Sequence, residues 1–175
     1  MPNVVVVLND YPDKRSLRDV IHYALDKSVC QGSYAVDWNS DMALEQMLLV
    51  KAAFHKEHNL QLKHFLITFA SNEADLTDFD ELMQLGFLTG QLFREYQMVY
   101  AVHWDSNHCH IHFVMNTTSF LDGHQYSDGL AMMNQLCALL RNRYPGYKVE
   151  LLQTRKYSLS DPYTDDDFGK SKKLK

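Results

Sequence analysis

Two apolar stretches joined by a short polar turn constrain the fold of this chain more than any other feature. Residues 97–103 (QMVYAVH) and 109–118 (CHIHFVMNTT) are rich in β-branched and aromatic residues, which favour strands. The turn between them, residues 104–108, has the length and polarity of a hairpin connection. The sequence therefore predicts an antiparallel hairpin around which the other elements must be arranged.

Apolar periodicity predicts further strands and helices on both sides of this hairpin. Residues 3–8 (NVVVVL) form a continuous β-branched run that is typical of a strand buried on both faces, and residues 63–69 alternate as a second strand. Helices are predicted to begin near Ser16, near Ser40, at Asp75 or Thr77, and near Ser127. We expect a mixed α/β (α+β) fold, a two-layer sandwich with a central antiparallel sheet and helices mainly on one face.

The composition is that of one globular domain. The chain has 175 residues, of which 46% are hydrophobic and 22% charged. We expect residues 1–160 to form the domain and residues 161–175 to be a charged tail or the start of a linker to a C-terminal region. The three cysteines are far apart and odd in number, which favours a reducing compartment. No secretion signal or long apolar run is present, so we expect a cytoplasmic protein with no membrane partner.

The net charge of −5 alone argues against a nucleic-acid partner, because phosphate contacts usually need a basic surface. The distribution of charge is uneven, however. Basic residues outnumber acidic ones only from Arg141 onward, whereas acidic residues dominate the preceding part of the chain. This asymmetry fits a basic rim beside an acidic body, and it fits a solvated basic tail equally well.

A cluster of histidines indicates a metal site. The segment HWDSNHCHIHF, residues 103–113, holds His103, His108, His110 and His112. On a strand, His110 and His112 lie on the same face, while the residues between and beside them face the core. The hairpin would bring His103 across from the neighbouring strand. Three imidazoles that leave open coordination positions are typical of a catalytic metal ion.

Other interpretations of the cluster remain open at this point. His108 could replace His103 as the third ligand, shape the turn, or contact the substrate. If Asp105 were a ligand, a two-histidine, one-carboxylate site would suit hydrolysis or oxygen chemistry on a small molecule. A metal-stabilised DNA-binding module without enzymatic activity is a third possibility, and chelation should then unfold it.

The string HxDxxHxHxHFxxN, from His103 to Asn116, resembles the third motif of the P-type (MobP) mobilisation relaxases of conjugative plasmids and integrative elements. These relaxases belong to the HUH endonuclease superfamily. The resemblance extends to the segment ALEQMLLVK at residues 43–51, to Lys63-His64, and to the first predicted helix around Tyr23. It covers most of residues 16–144.

The resemblance implies a metal-dependent DNA nickase. It implies a divalent ion, Mg, Mn or another, at His103, His110 and His112, and a catalytic tyrosine at Tyr23 in an HUH-like fold. The expected reaction is strand-specific nicking at an origin of transfer, which leaves a covalent 5′-phosphotyrosyl intermediate. The implied partners are single-stranded origin DNA, relaxosome accessory proteins and a secretion-system coupling protein, in the bacterial cytoplasm. The family usually has asparagine before the tyrosine, where this chain has His22.

Several further residues are candidates for supporting roles. A free phenol has a pKa of about 10 and needs activation at neutral pH. Lys27, one helical turn after Tyr23, provides a nearby positive charge. Asp105 could orient a ligand imidazole, accept the phenolic proton, or simply form the turn. Possible additional site residues are His108, His64 and Asn116, and possible base-stacking residues are Trp104, Phe120 and Tyr126.

A rolling-circle replication initiator or a transposase of the same superfamily is the alternative function. In those families the tyrosine generally follows the histidine motif on a later helix. That order would nominate Tyr144, at the end of the last predicted helix, instead of Tyr23.

Overall fold

The fold is built on one seven-stranded sheet with the strand order β2-β4-β5-β3-β1-β6-β7. The structure, a computed structural model, describes residues 2–69, 78–104, 109–127, 129–154 and 172–173. The strands are β1 (Asn3–Val7), β2 (Cys30–Tyr34), β3 (Leu62–Phe69), β4 (Met98–Trp104), β5 (Cys109–Asn116), β6 (Glu150–Thr154) and β7 (Lys172–Lys173). The helices are α1 (Lys14–Asp26), α2 (Ser40–Ala53), α3 (Phe79–Leu92) and α4 (Ala131–Arg143).

The predicted hairpin is confirmed and lies near the centre of the sheet. Strands β4 and β5 are antiparallel, with His103 paired to His110 and Ala101 paired to His112. Strand β3 pairs antiparallel to the other edge of β5, with Leu66 opposite His112. Because β5 has a neighbour on both sides, its backbone hydrogen bonds are satisfied and its side chains have fixed positions.

Helices cover both faces of the sheet. One core cluster joins α1 and α2 to the β4 residues Val99 and Ala101. A larger cluster joins α3 and α4 to the alternate residues of the same strands, such as Ile111 and Phe113. The mixed α/β class and the mainly antiparallel sheet are confirmed. The expected placement of the helices mainly on one face is corrected, because every residue of β5 is buried and both faces therefore need a covering layer.

The N-terminus of α1 is capped one turn earlier than the sequence suggested. Asp13 is the N-cap, and its carboxylate accepts hydrogen bonds from the backbone N–H and the hydroxyl of Ser16, each at 2.8 Å. Five apolar residues at helical spacing form a stripe on this helix, and all of them are buried: Leu17, Val20, Ile21, Ala24 and Leu25. This stripe fixes the rotation of α1 and so determines which way Tyr23 points.

Strand β6 is an element that the periodicity did not predict. It is five residues long and pairs in parallel with β1, from Asn3 opposite Glu150 to Val7 opposite Thr154. Its sequence, ELLQT, neither alternates nor forms a β-branched run, and its parallel partner is distant in sequence. Among the described helices, none is long and apolar enough to cross a membrane.

Candidate metal centre and nucleophile

Three histidines from the central hairpin converge at one point. One ligand nitrogen from each of His103, His110 and His112 lies within 4.8 Å of the others. The ring centroids of His103 and His112 are 4.3 Å apart, and those of His110 and His112 are 4.9 Å apart. The cause is the strand register, because His103 and His110 are cross-strand partners and His112 follows on the same face of β5. The predicted arrangement of these three side chains is confirmed.

Hydrogen bonds on the outer side of the cluster indicate which ring nitrogens can bind a metal. His103 Nε2 lies 2.7 Å from the backbone carbonyl oxygen of Ala24, which can only accept, so Nε2 carries the proton and the lone pair resides on Nδ1. His112 Nδ1 lies 3.0 Å from His64 Nε2, which leaves His112 Nε2 as the nitrogen on the other side of the ring. Ligand histidines in proteins are commonly held in this way through their second nitrogen.

Burial keeps the imidazoles of His64 and His112 neutral. Desolvation, with smaller contributions from the neighbouring His103 and His110, lowers the pKa of His64 to about 3. Desolvation likewise holds the pKa of His112 well below its usual value. A neutral imidazole is the form that binds a metal ion, so a donor set of three closely spaced imidazoles fits a divalent cation.

Acid is expected to destabilise the metal-free protein, because the unfolded chain can protonate His64 and His112 whereas the folded chain resists it. The two neutral histidines therefore contribute their full stabilisation above about pH 6.5, which is the pKa of histidine in the unfolded chain. Below that pH the folding equilibrium constant decreases by up to about tenfold per pH unit for each histidine. Urea unfolding midpoints should fall as the pH is lowered from neutral to mildly acidic. Replacement of His64 by Leu should reduce that slope. A stability that does not change over this range would contradict the neutral state of the two rings.

Tyr23 lies beside the histidine cluster on α1. Its ring is 5.8 Å from that of His103 and 5.7 Å from that of His112, measured between centroids. The contact with His112 is edge-on, with an interplanar angle of 87°. The ring is half-buried and packs against a small apolar cluster on β1, β3 and β6. The ring is thus packed on one side, while part of the residue stays exposed.

Lys27 lies over the face of the Tyr23 ring, with Nζ 4.9 Å from the ring centroid. Its side chain is exposed. The predicted proximity of the two residues is confirmed, because four residues of helix bring them to the same face. His22 points elsewhere: its ring nitrogens lie 3.1 Å from an Asp26 carboxylate oxygen and 3.2 Å from one of Asp41. His22 therefore links α1 to the start of α2, and does not join the cluster.

The remaining predicted site residues fall into two groups. Asp105 and His108 lie outside the described residues. Asn116 is not brought to the cluster, because it lies four residues along β5 from His112, about 13 Å at the usual strand rise. Its amide donates to the Met47 carbonyl and to the side chain of Gln97, and its oxygen accepts from the backbone of Thr118. These contacts favour a structural role for Asn116.

The sheet separates Tyr144 from the histidines. Tyr144 belongs to the core cluster on the opposite face and packs edge-on against Phe69, with centroids 6.0 Å apart. Burial and the nearby Glu81 carboxylate raise the pKa of its phenol to about 12. A phenol in this position has neither access to the three imidazoles nor a tendency to ionise. The arrangement disfavours the alternative in which the nucleophile follows the histidine motif.

The three proposed base-stacking residues differ in exposure. Tyr126 is 9% exposed and packs on Tyr96 within the core, so it offers no free ring face for a base. Phe120 is only partly exposed. Trp104 is 39% exposed and forms a T-shaped pair with Phe79, with centroids 5.9 Å apart. Of the three, Trp104 retains the accessibility that stacking requires.

Two groups that contact histidines of this region were not predicted from the sequence. One is the Ala24 carbonyl, which belongs to the backbone and gives no residue-type signal. The other is Tyr11, whose hydroxyl lies 3.4 Å from His64 Nδ1. Tyr11 is 53 residues away from His64 in sequence, and only the packing of the segment before α1 against β3 brings them together.

Comparison with known proteins agrees with this geometry. The relaxase family described as "MobA/VirD2-like, nuclease domain" matches residues 23–144, more than half of the 175-residue chain. The match begins at Tyr23, ends at Tyr144 and includes all three clustered histidines. No curated protein and no solved structure shows significant similarity to the chain. The chain belongs to the MobA/VirD2-like relaxase family, and residues 23–144 correspond to its nuclease domain.

Proposed function

We propose that this relaxase nicks one DNA strand at an origin of transfer by transesterification, with Tyr23 as the nucleophile. The observation that carries the proposal is the contact of a half-buried tyrosine ring with two of three convergent imidazoles. Phosphodiester cleavage at neutral pH needs a nucleophile, stabilisation of charge on the non-bridging oxygens, and in-line placement. The cluster and Tyr23 together can meet all three needs.

His103, His110 and His112 are the proposed ligands of the divalent ion. When bound, the ion acts as a Lewis acid that neutralises charge on the phosphate and orients it. The three rings determine where the phosphate lies, because they are fixed on two paired strands and at least two are held by outer hydrogen bonds. Family membership supports the use of a metal, and the burial and close spacing of the three rings support this ligand set.

Tyr23 then exchanges one phosphoester for another. Its oxygen forms a bond to phosphorus while the bond from phosphorus to the 3′ oxygen breaks. The phenolic proton leaves by way of Asp105 or solvent, and the departing 3′ oxygen ends as a hydroxyl. The Lys27 ammonium over the ring favours the negative charge that develops on the phenol oxygen. Because one ester replaces another, the reaction is reversible, and the same 3′ hydroxyl can rejoin the strand.

The proposed substrate is single-stranded or locally melted origin DNA. A tyrosine fixed beside buried histidines can reach a phosphate only if the strand is free to bend into the site. The exposed indole of Trp104, next in sequence to His103, is a suitable stacking surface for a neighbouring base. Relaxosome accessory proteins and a coupling protein are the partners proposed for the transfer of the nicked strand.

The test is to identify the residue that becomes attached to DNA. The protein is incubated with Mn²⁺ and a randomised pool of single-stranded oligonucleotides, and denatured complexes are digested with protease and nuclease. Mass spectrometry is expected to find a nucleotide 5′-phosphate on the peptide that contains Tyr23. Sequencing of the retained strands would give the preferred cleavage site. A modified Tyr144, or release of both DNA ends without an adduct, would refute the assignment.

A further inference from the structure

We propose that His64 and Tyr11 are positioning residues that fix the tautomer and orientation of His112, through a chain of neutral hydrogen bonds. The inference rests on the proposed metal-binding role of His112. His64 and Tyr11 would not touch the ion or the DNA. They would act by holding one ligand ring so that its Nε2 lone pair is presented to the ion.

The chain runs from β5 across β3 to the segment before α1. His112 Nδ1 lies 3.0 Å from His64 Nε2, and His64 Nδ1 lies 3.4 Å from the Tyr11 hydroxyl. The His64 and His112 rings are nearly parallel, with an interplanar angle of 25° and centroids 5.3 Å apart. Tyr11 also has a hydrogen bond to the side chain of Asn9. The contacts thus continue from the metal cluster to the end of β1.

The donor and acceptor roles of the groups give this hydrogen-bond chain one consistent direction of donation. If His112 Nε2 binds the ion, its Nδ1 must carry the proton and donate it to His64 Nε2. His64 Nε2 is then an acceptor, so the proton of His64 lies on Nδ1 and is donated to the Tyr11 oxygen. The Tyr11 hydroxyl keeps its own proton, so the phenol stays neutral. Every ring in the chain is then neutral and has one defined tautomer.

Burial makes it difficult for water to replace any member of this hydrogen-bond chain. His64 and His112 are both 0% exposed, and Tyr11 is 6% exposed. If His64 lost its acceptor nitrogen, the Nδ1–H of His112 would have no solvent partner at that point. Loss of a buried acceptor of this kind costs more than loss of an exposed one.

The absence of charge on His64, the partner of His112, has a chemical consequence. A carboxylate behind a ligand histidine increases the basicity of that ligand. Here the group is an imidazole backed by a phenol, so it orients His112 without adding a negative charge to the site. The metal centre retains more of its positive charge for the phosphate as a result.

The test compares His64→Leu with His64→Gln in the full chain. Leu has a similar volume and no acceptor, whereas the Gln side-chain oxygen can accept from His112 and its amide can donate to Tyr11. Calorimetry with Mn²⁺ alone should show affinity reduced about 10–100-fold for Leu and only a few-fold for Gln. Tyr11→Phe should have an intermediate effect. Unchanged Mn²⁺ affinity in a folded His64→Leu variant would overturn the proposal.

A second measurement needs neither a variant nor catalysis. Long-range ¹H–¹⁵N spectra of the metal-free wild-type protein distinguish Nδ1–H from Nε2–H in each histidine. We expect the Nδ1–H tautomer for both His112 and His64. A His112 ring protonated on Nε2 would overturn the positioning chain even if DNA nicking is normal. Conversely, if both histidines have the expected tautomer but the protein does not nick DNA, the result would count against the proposed function and not against the hydrogen-bond chain.

Discussion

Replacement of Tyr23 by Phe is expected to abolish the covalent DNA adduct and to lower the rate of nicking by at least about 10⁴-fold, which corresponds to more than about 5 kcal/mol of barrier. The substitution removes one oxygen atom, and that atom is the proposed nucleophile. The ring itself remains, so its edge contact with His112 and its packing on the apolar cluster of β1 and β3 are preserved. The variant should therefore fold and bind Mn²⁺ and DNA like the wild type.

The matched control is Tyr144→Phe, which also removes one phenolic oxygen but does so on the opposite face of the sheet. Nicking by this variant should stay close to the wild-type rate. Both rates are measured by gel electrophoresis of a labelled single-stranded substrate, with the adduct detected by its reduced mobility. A Tyr23→Phe variant that still forms the adduct would remove Tyr23 from the mechanism. Loss of the adduct in Tyr144→Phe alone would restore the rolling-circle alternative.

The histidine cluster could be predicted because its geometry depends only on local rules. Side chains alternate along a strand, so His110 and His112 had to share a face, and a tight hairpin had to place His103 opposite them. The relation of Lys27 to Tyr23 is equally local, since one helical turn separates them. In both cases a spacing of a few residues within one or two adjacent elements determines the outcome.

The features that could not be predicted depend on contacts between distant segments. The Ala24 carbonyl that holds His103 is a backbone group 79 positions away in sequence, and Tyr11 reaches His64 only after β1 and β3 have paired. The packing of helices on both faces of the sheet also depends on contacts between distant segments. The sequence showed a β1 buried on both faces, but the side on which each helix packs is decided by chain crossings that periodicity does not encode.

Replacement of His110 by Gln is expected to lower Mn²⁺ affinity by at least about 10³-fold, since loss of a direct ligand should exceed the 10–100-fold cost of losing an outer partner. His110 is only 4% exposed and lies on β5 directly opposite His103. Gln keeps a polar side chain of similar reach there, so the metal-free variant should unfold close to the wild-type midpoint. The nicking rate should fall by several orders of magnitude, because charge on the phosphate is no longer neutralised.

The matched control for this variant is His58→Gln, which makes the same change at an exposed histidine after α2. It should leave both Mn²⁺ affinity and nicking unchanged. The two substitutions then separate the parts of the site: Tyr23→Phe binds the ion but cannot form the adduct, whereas His110→Gln keeps the nucleophile but loses the ion. If His110→Gln binds Mn²⁺ as tightly as the wild type, the ion does not lie among these three histidines. Raising the Mn²⁺ concentration should restore part of the nicking by His110→Gln and none of that by Tyr23→Phe, because only the first defect is one of metal occupancy.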